Sequence, residues 1–305
     1  SNTAVGDDAL KFNTTGADNV ALGAFTLVDN TTASLNTAVG SNALRYNTTG
    51  DNNTATGRLA LYLNTTGANN AAFGLSALQA NTTGANNTAV GYAALTTNTV
   101  GSKSVAVGRG ALSLQNPSSA ADVYNTAVGY EAGVNVTTGV QNTLIGGLAG
   151  DANVSGNYNT LIGYNAGGAL DGNYNAFLGR ASGSAVTSGV KNTIIGSYNG
   201  NQGGLDIRTS SNHIVLSDGD GNPRGIFDSS GRYLVGKTVA DNGTVGITLF
   251  PEGVGSFVAD GSRAATFVRK TDNGELIQFR KNTTNVGHIG TDGSNIYLGT
   301  GDCTL

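Results

Sequence analysis

Short apolar triplets recur along the chain inside a fixed polar frame. The pentad Asn-Thr-Ala-Val-Gly, or a close variant, ends at Gly6, Gly23, Gly40, Gly57, Gly74, Gly91, Gly108, Gly129, Gly146, Gly163, Gly179 and Gly196. Successive copies stand 17 residues apart, except for one step of 21 and one of 16. Asn stands four residues before the Gly in every copy except Ser104, and a second Gly follows most copies ten residues later, as at Gly16, Gly50, Gly67 and Gly84. Each unit thus has two turns and two short extended pieces, such as Asn36 to Val39 and Ala43 to Tyr46. Both pieces are too short for a helix and are punctuated by Gly or Asn-Thr-Thr-Gly.

A unit of this size cannot bury an apolar face alone. Stacking unit on unit sets each strand beside its own copy, so the pattern predicts an all-β fold, a parallel β-solenoid of about twelve 17-residue rungs. At about 4.8 Å per rung the rod body would be roughly 55–60 Å long. The Asn column, including Asn36, Asn53, Asn70, Asn87, Asn125, Asn142, Asn159 and Asn192, is expected to form a ladder of amides that donate to and accept from the copies one rung away. The glycines Gly40, Gly57, Gly74, Gly91, Gly129, Gly146, Gly163 and Gly196 are expected to supply positive φ at the corners.

Within the pentad, the residues one and three before the Gly share a face, as do Val20 and Leu22, while the residue between them faces the other way. That middle residue is Ala in early copies (Ala4, Ala38, Ala89, Ala106) and large in later ones (Leu144, Leu161, Phe177, Ile194). The residue four after the Gly changes oppositely, from Leu10, Leu44, Leu78 and Leu112 to Gly133, Gly150, Gly167 and Gly183. The two changes offset each other in volume, so these positions are expected to pack against one another, within a chain or across subunits. The change in packing falls at the one long insertion, Arg109 to Val128, which contains Pro117.

The period disappears in the last hundred residues. A Gly-rich joint, Asn199 to Gly204, leads into strand-like runs at Asn212 to Leu216 and Gly225 to Gly236. An antiparallel meander is then expected at Ala265 to Lys270, Glu275 to Lys281, Val286 to Gly290 and Asn295 to Gly299. The chain therefore divides into a solenoid shaft over 1–200, a neck of short strands over 201–240 and a small antiparallel module over 241–305.

Composition fits a thin core. Gly makes up 47 of 305 residues, Met and Trp are absent, and charged residues reach only 12%, about half the usual share. A net charge of −4 offers no attraction to nucleic acid, and no apolar run approaches the roughly 18–20 residues of a membrane span. The single Cys303 excludes an internal disulfide, and no cofactor or metal is expected. The chain opens directly in a repeat, from which further sequence upstream is expected.

Few residues point to chemistry. Asp218-Gly-Asp-Gly-Asn222 resembles the start of a calcium loop, but Ser229 stands where a bidentate Glu is needed, so a polar turn is expected. His213 and His288 lack metal-ligand spacing. Glycoside hydrolysis would need a carboxylate pair from among Asp206, Asp228, Glu252, Asp260 and Glu275. The Asn-Thr-Thr sequons at Asn13, Asn30, Asn47, Asn64 and Asn81 keep a strict 17-residue spacing, which favours turn chemistry over glycosylation.

The run from Asn36 to Gly50, Asn-Thr-Ala-Val-Gly-Ser-Asn-Ala-Leu-Arg-Tyr-Asn-Thr-Thr-Gly, resembles the head repeats of trimeric autotransporter adhesins and, still more, repeats of bacteriophage tail-fibre proteins. This resemblance implies a left-handed parallel β-roll and a homotrimer, although the adhesin repeat is shorter. Gly274 to Lys281, Val286 to Gly290 and Tyr297 to Asp302 resemble tail-fibre segments preceding a self-cleaving fibre chaperone. The implied function is a virion-surface, extracellular fibre for host attachment. Its partners would be its own copies, other fibre or virion components, and a host-surface glycan or protein; no enzyme activity, nucleic-acid binding or membrane insertion is expected. A bacterial adhesin head, a glycan-depolymerase tailspike and, from the paired Thr columns, an ice-binding solenoid are the alternatives. Receptor contact is expected in the last module, near Arg269, Lys270, Asp272 and Asn273.

Overall fold

The computed structural model describes residues 1–241, 243–260, 264–267, 274–281, 284–292, 295–300 and 303–304. Among them there is no helix. Thirteen short strands, from Thr3–Val5 to Ile214–Ser217, stack in parallel, each in register with its copy: Ala38 opposite Ala55, Ala127 opposite Leu144, Ile194 opposite Val215. The protein is a β-solenoid.

Each rung contributes one strand to this sheet, where two extended pieces were expected. The second piece is a run of turns because alternate residues adopt a left-handed conformation, as at Asn42 (φ 61°) and Leu44 (φ 49°). It still hydrogen-bonds rung to rung, through Leu44 N–H to the Ala60 carbonyl (3.0 Å) and Tyr46 N–H to the Tyr62 carbonyl (3.2 Å). The turn side is thus also tied to its neighbours by backbone hydrogen bonds, without β geometry.

The core is one side chain thick. The middle residue of each strand points inward and is fully buried from Ala21 onward, together with Ala43, Ala60 and Ala77 beyond the corner and Leu44, Leu61 and Leu78 beside them. In later rungs the inward volume comes from the strand itself. A Cβ built on Gly150 would lie 2.9 Å from Leu144 Cδ2, and one on Gly167 3.0 Å from Leu161 Cδ2. The positions that exchange size along the sequence thus face each other inside a single chain.

Parallel pairing does not stop at residue 200. Thr193–Ile195 pairs with Ile214–Ser217, and a hairpin of Asn201–Gln202 with Leu205–Asp206 is inserted between them. The same sheet then turns antiparallel through Pro223–Phe227, Tyr233–Val235, Gly246–Leu249 and Gly255–Val258. The stretch drawn from sequence as a neck is therefore hydrogen-bonded to the rod, with Ile207, Val215, Ile226 and Leu234 continuing its core.

A separate antiparallel sheet holds Gly274–Lys281, Thr284–Asp292, Asn295–Thr300 and Cys303–Thr304. Ala265 to Phe267, expected as part of a strand, has no strand geometry. Arg269, Lys270, Asp272 and Asn273 lie outside the described residues.

Candidate association face

The glycine corners explain how tightly the rungs stack. Gly40 has φ +123°, and a Cβ there would stand 2.8 Å from the carbonyl carbon of Gly57, the equivalent corner one rung on. Gly57, Gly74, Gly91, Gly129, Gly146, Gly163 and Gly196 share this φ region and this crowding by the next rung. The second glycines, such as Gly50, lack a positive φ; a Cβ there would strike the Asn47 side chain and the carbonyl of Gly67.

The Asn column is buried, and its bonds run mostly to backbone. Asn36 Oδ1 accepts the N–H of Asn53 (2.8 Å), Asn53 Oδ1 that of Asn70 (3.0 Å), and Asn142 Oδ1 that of Asn159 (3.0 Å). On most rungs the Nδ2 group donates to the glycine carbonyl closing the same unit, as from Asn53 to Gly67 (2.8 Å), Asn87 to Gly101 (2.8 Å) and Asn125 to Gly139 (2.7 Å), whereas the buried Asn36 Nδ2 finds no acceptor. Asn192 instead donates to the Ser210 carbonyl (2.8 Å), and the N–H of His213 continues the column to Asn192 Oδ1 (2.9 Å).

A second buried ladder runs through the sequon asparagines. Asn47 Nδ2 donates to Asn30 Oδ1 (3.0 Å), Asn64 to Asn47 (2.7 Å) and Asn81 to Asn64 (2.7 Å), and each also bonds the glycine three residues on. The first column makes such amide-to-amide contacts on some rungs only, as from Asn70 to Asn53 (3.1 Å) and Asn142 to Asn125 (3.2 Å). Gln115, from the insertion, ends the second ladder and mends the first. Its Nε2 donates to Asn98 Oδ1 (3.3 Å) and Ser104 Oγ (3.0 Å), and its Oε1 accepts from Asn125 Nδ2 (3.0 Å). The lone break at Ser104 was visible in sequence; the glutamine that compensates for it stands eleven residues away and was not.

Several of the candidates for chemistry are engaged structurally. Asp218 accepts the N–H groups of Asp220 and Asn222 and binds Arg224; the Asn222 N–H, then the Arg224 guanidinium, holds its carboxyl down at about 2. Asp206 is bound by Arg208 (2.8 Å) and Asp228 by Arg232 (2.7 Å). Thr48 and Thr65 donate their hydroxyls to the carbonyls of Thr65 and Thr82 (both 3.0 Å). No group of three His, Cys, Asp or Glu side chains among the described residues is close enough to hold a metal.

What remains open is the outer face of the parallel sheet. The last residue of each strand triplet points outward, and it is apolar on every rung except at Thr56: Val5, Leu22, Phe73, Val90, Val128, Ile145, Leu178, Ile195 and Leu216 are all exposed. Between Thr160, Ile162, Ala176, Leu178, Thr193 and Ile195 lies an apolar hollow of about 230 Å³. Set against protein families, curated proteins and solved structures, the chain matches none.

Proposed function

We propose that this chain is a structural and adhesive rod, a homotrimeric fibre of the bacteriophage tail-fibre kind that attaches to a host surface. The outward apolar row along the whole parallel sheet carries the reading, because monomeric proteins rarely expose a continuous apolar patch above a few hundred Å². A single chain with a core one side chain thick also gains much from covering that row. The stacked amides and corner glycines suit stiffness. The trimer, the left-handed coil and the fibre role come from the sequence resemblance; a bacterial adhesin head would use the same architecture.

On this reading the chain is not an enzyme. Its partners are its own copies, neighbouring fibre components and a host-surface glycan or protein. Light scattering on the full chain tests the core of the proposal: three chain masses are expected, and a stable folded monomer would overturn it. Binding of the assembled protein to whole host cells tests the adhesive part.

A further inference from the structure

The two margins of the open sheet change character along the rod. One margin is formed by the residue before each ladder Asn, the other by the residue after each corner Gly. In early rungs the first margin carries Asp18, Leu35, Asn52 and Asn86; later it carries Tyr124, Tyr158 and Tyr174, interspersed with Gln141 and Lys191. The second carries Ala24, Ser41 and Arg58 early, then Tyr92, Tyr130, Tyr164 and Arg180, with Gly147 among them. All six tyrosines are between 42 and 55% exposed.

The rings stack along their own margins. Tyr158 lies on Tyr174 with centroids 4.7 Å apart, and Arg109 sits between Tyr92 and Tyr130 at 5.7 and 5.2 Å. Across the sheet they are matched by rung: Tyr124 with Tyr130, Tyr158 with Tyr164, and Tyr174 with Arg180 share the strands Thr126–Val128, Thr160–Ile162 and Ala176–Leu178. Among the described residues none of these same-rung pairs touches within the chain, and Arg180 has no acidic partner.

We infer that these margins are the contact between copies of this chain, which lie parallel and in register, so that one copy's Tyr124, Tyr158 and Tyr174 meet the next copy's Tyr130, Tyr164 and Arg180. The inference rests on the self-association proposed above and adds its orientation and register. Any ring of copies about an axis along the rod brings one margin of a copy to the opposite margin of the next at equal height. The same-rung pairs then become aromatic and cation–aromatic contacts. Full antiparallel overlap would instead set Tyr124, Tyr158 and Tyr174 against Asn86, Asn52 and Leu35.

In a ring each neighbour meets one margin of a copy, so three half-exposed rings, roughly 300 Å², join the apolar strand row on each side of a contact. The hollow between Ile162, Leu178 and Ile195 lies between the margins where the tyrosines are densest, ready to receive side chains of a neighbour.

The test uses the full chain with Cys303→Ser throughout. Chains carrying Tyr158→Cys and chains carrying Tyr164→Cys are assembled separately and as a mixture, then treated with a short bismaleimide. Crosslinks are expected in the mixture and not in either variant alone. In parallel, Tyr124→Ser/Tyr158→Ser/Tyr174→Ser is expected to raise the concentration of half-assembly at least about tenfold with an unchanged circular dichroism spectrum. An oligomer that crosslinks through one variant alone, or not at all in the mixture, overturns the in-register margins while leaving self-association standing. A monomer at every concentration overturns both. Unchanged assembly of the triple variant with lost binding to an acidic glycan would assign the tyrosines to a ligand and overturn the inference.

Discussion

Rungs up to Val105–Val107 and rungs from Thr126–Val128 share one backbone course and fill it differently. Early rungs hold a small Ala on the strand and a Leu beyond the corner, with Leu78 at φ 51°; the rung of Thr126–Val128 is transitional, with Ala127 and Gly133; from Thr143–Ile145 on, rungs hold Leu, Ile or Phe on the strand and a Gly such as Gly150, at φ 59°. A non-glycine residue in that left-handed region costs about 1–2 kcal/mol, which burial of a Leu side chain, at about 1.5–3 kcal/mol, offsets. Later rungs avoid the strain and take the same volume from the other wall. A third position changes on most of these rungs: the amide ladder of Asn64 and Asn81 gives way to buried Val136, Leu170 and Val186, with Asn153 alone among them keeping an amide. Rung-to-rung hydrogen bonds fix the backbone, and either wall can then fill the core.

The largest expected effect is one that the two regions share. Gly57→Ala and Gly146→Ala each drive a Cβ against the next rung's carbonyl at φ +137° and +131°, so each should lose about 3 kcal/mol or more in urea unfolding. Tolerance of either would mean that rung spacing relaxes in that region.

Exchanging the two core patterns sharpens the comparison. Leu78→Gly should cost about 2–4 kcal/mol, the cavity less the relieved strain, and Ala72→Leu about 1–3 kcal/mol by overpacking. The double variant, which writes a later rung into the early region, should cost less than the sum by about 1–3 kcal/mol. Simple additivity would show that the two walls do not compensate.

The ladder should be weaker and uniform. Asn87→Ala strands the Ser104 N–H and Asn142→Ala the Asn159 N–H, while the Gly101 and Gly156 carbonyls each keep one amide donor, from Asn98 and Asn153. Each should cost about 1–3 kcal/mol. If thermal unfolding of both matched the parent, the column would contribute nothing to stability.

The smallest effect is electrostatic and confined to the later region. Burial, with Glu131 nearby, raises the Asp151 carboxyl above its ordinary 3.8, and its Oδ1 is buried without a donor. A raised acid binds its proton more tightly when folded, so the charge lowers stability above the folded pKa, and this penalty disappears as pH falls through it. Asp151→Asn should therefore raise the melting midpoint at neutral pH and leave it unchanged near roughly pH 3, where both states are protonated. An equal gain at both pH values would point to packing instead.

Much of the architecture was legible because repetition turns local chemistry into a column. The 17-residue step, the Ala-to-Leu and Leu-to-Gly exchange and the Asn column could each be read without coordinates. The thirteenth rung was hidden because His213 stands in place of Asn and a hairpin interrupts the step. The tyrosine margins were hidden for a different reason. Tyr158 and Tyr164 are six residues apart and look unrelated until the strand between them is placed, and Tyr130 aligns with Tyr92 only when the insertion is folded out.

By itself the sequence determined that copies of a short unit stack in register, since no unit of this length can bury its own apolar side and each glycine corner recurs where the next must fit. Tertiary structure alone decided which side of each strand faces inward. Alternation separates Val20 and Leu22 from Ala21 but does not say which set is buried. The two walls lie so close that Ala fits between them, and a larger Leu or Phe fits where the facing residue is Gly; the other row of side chains is turned outward.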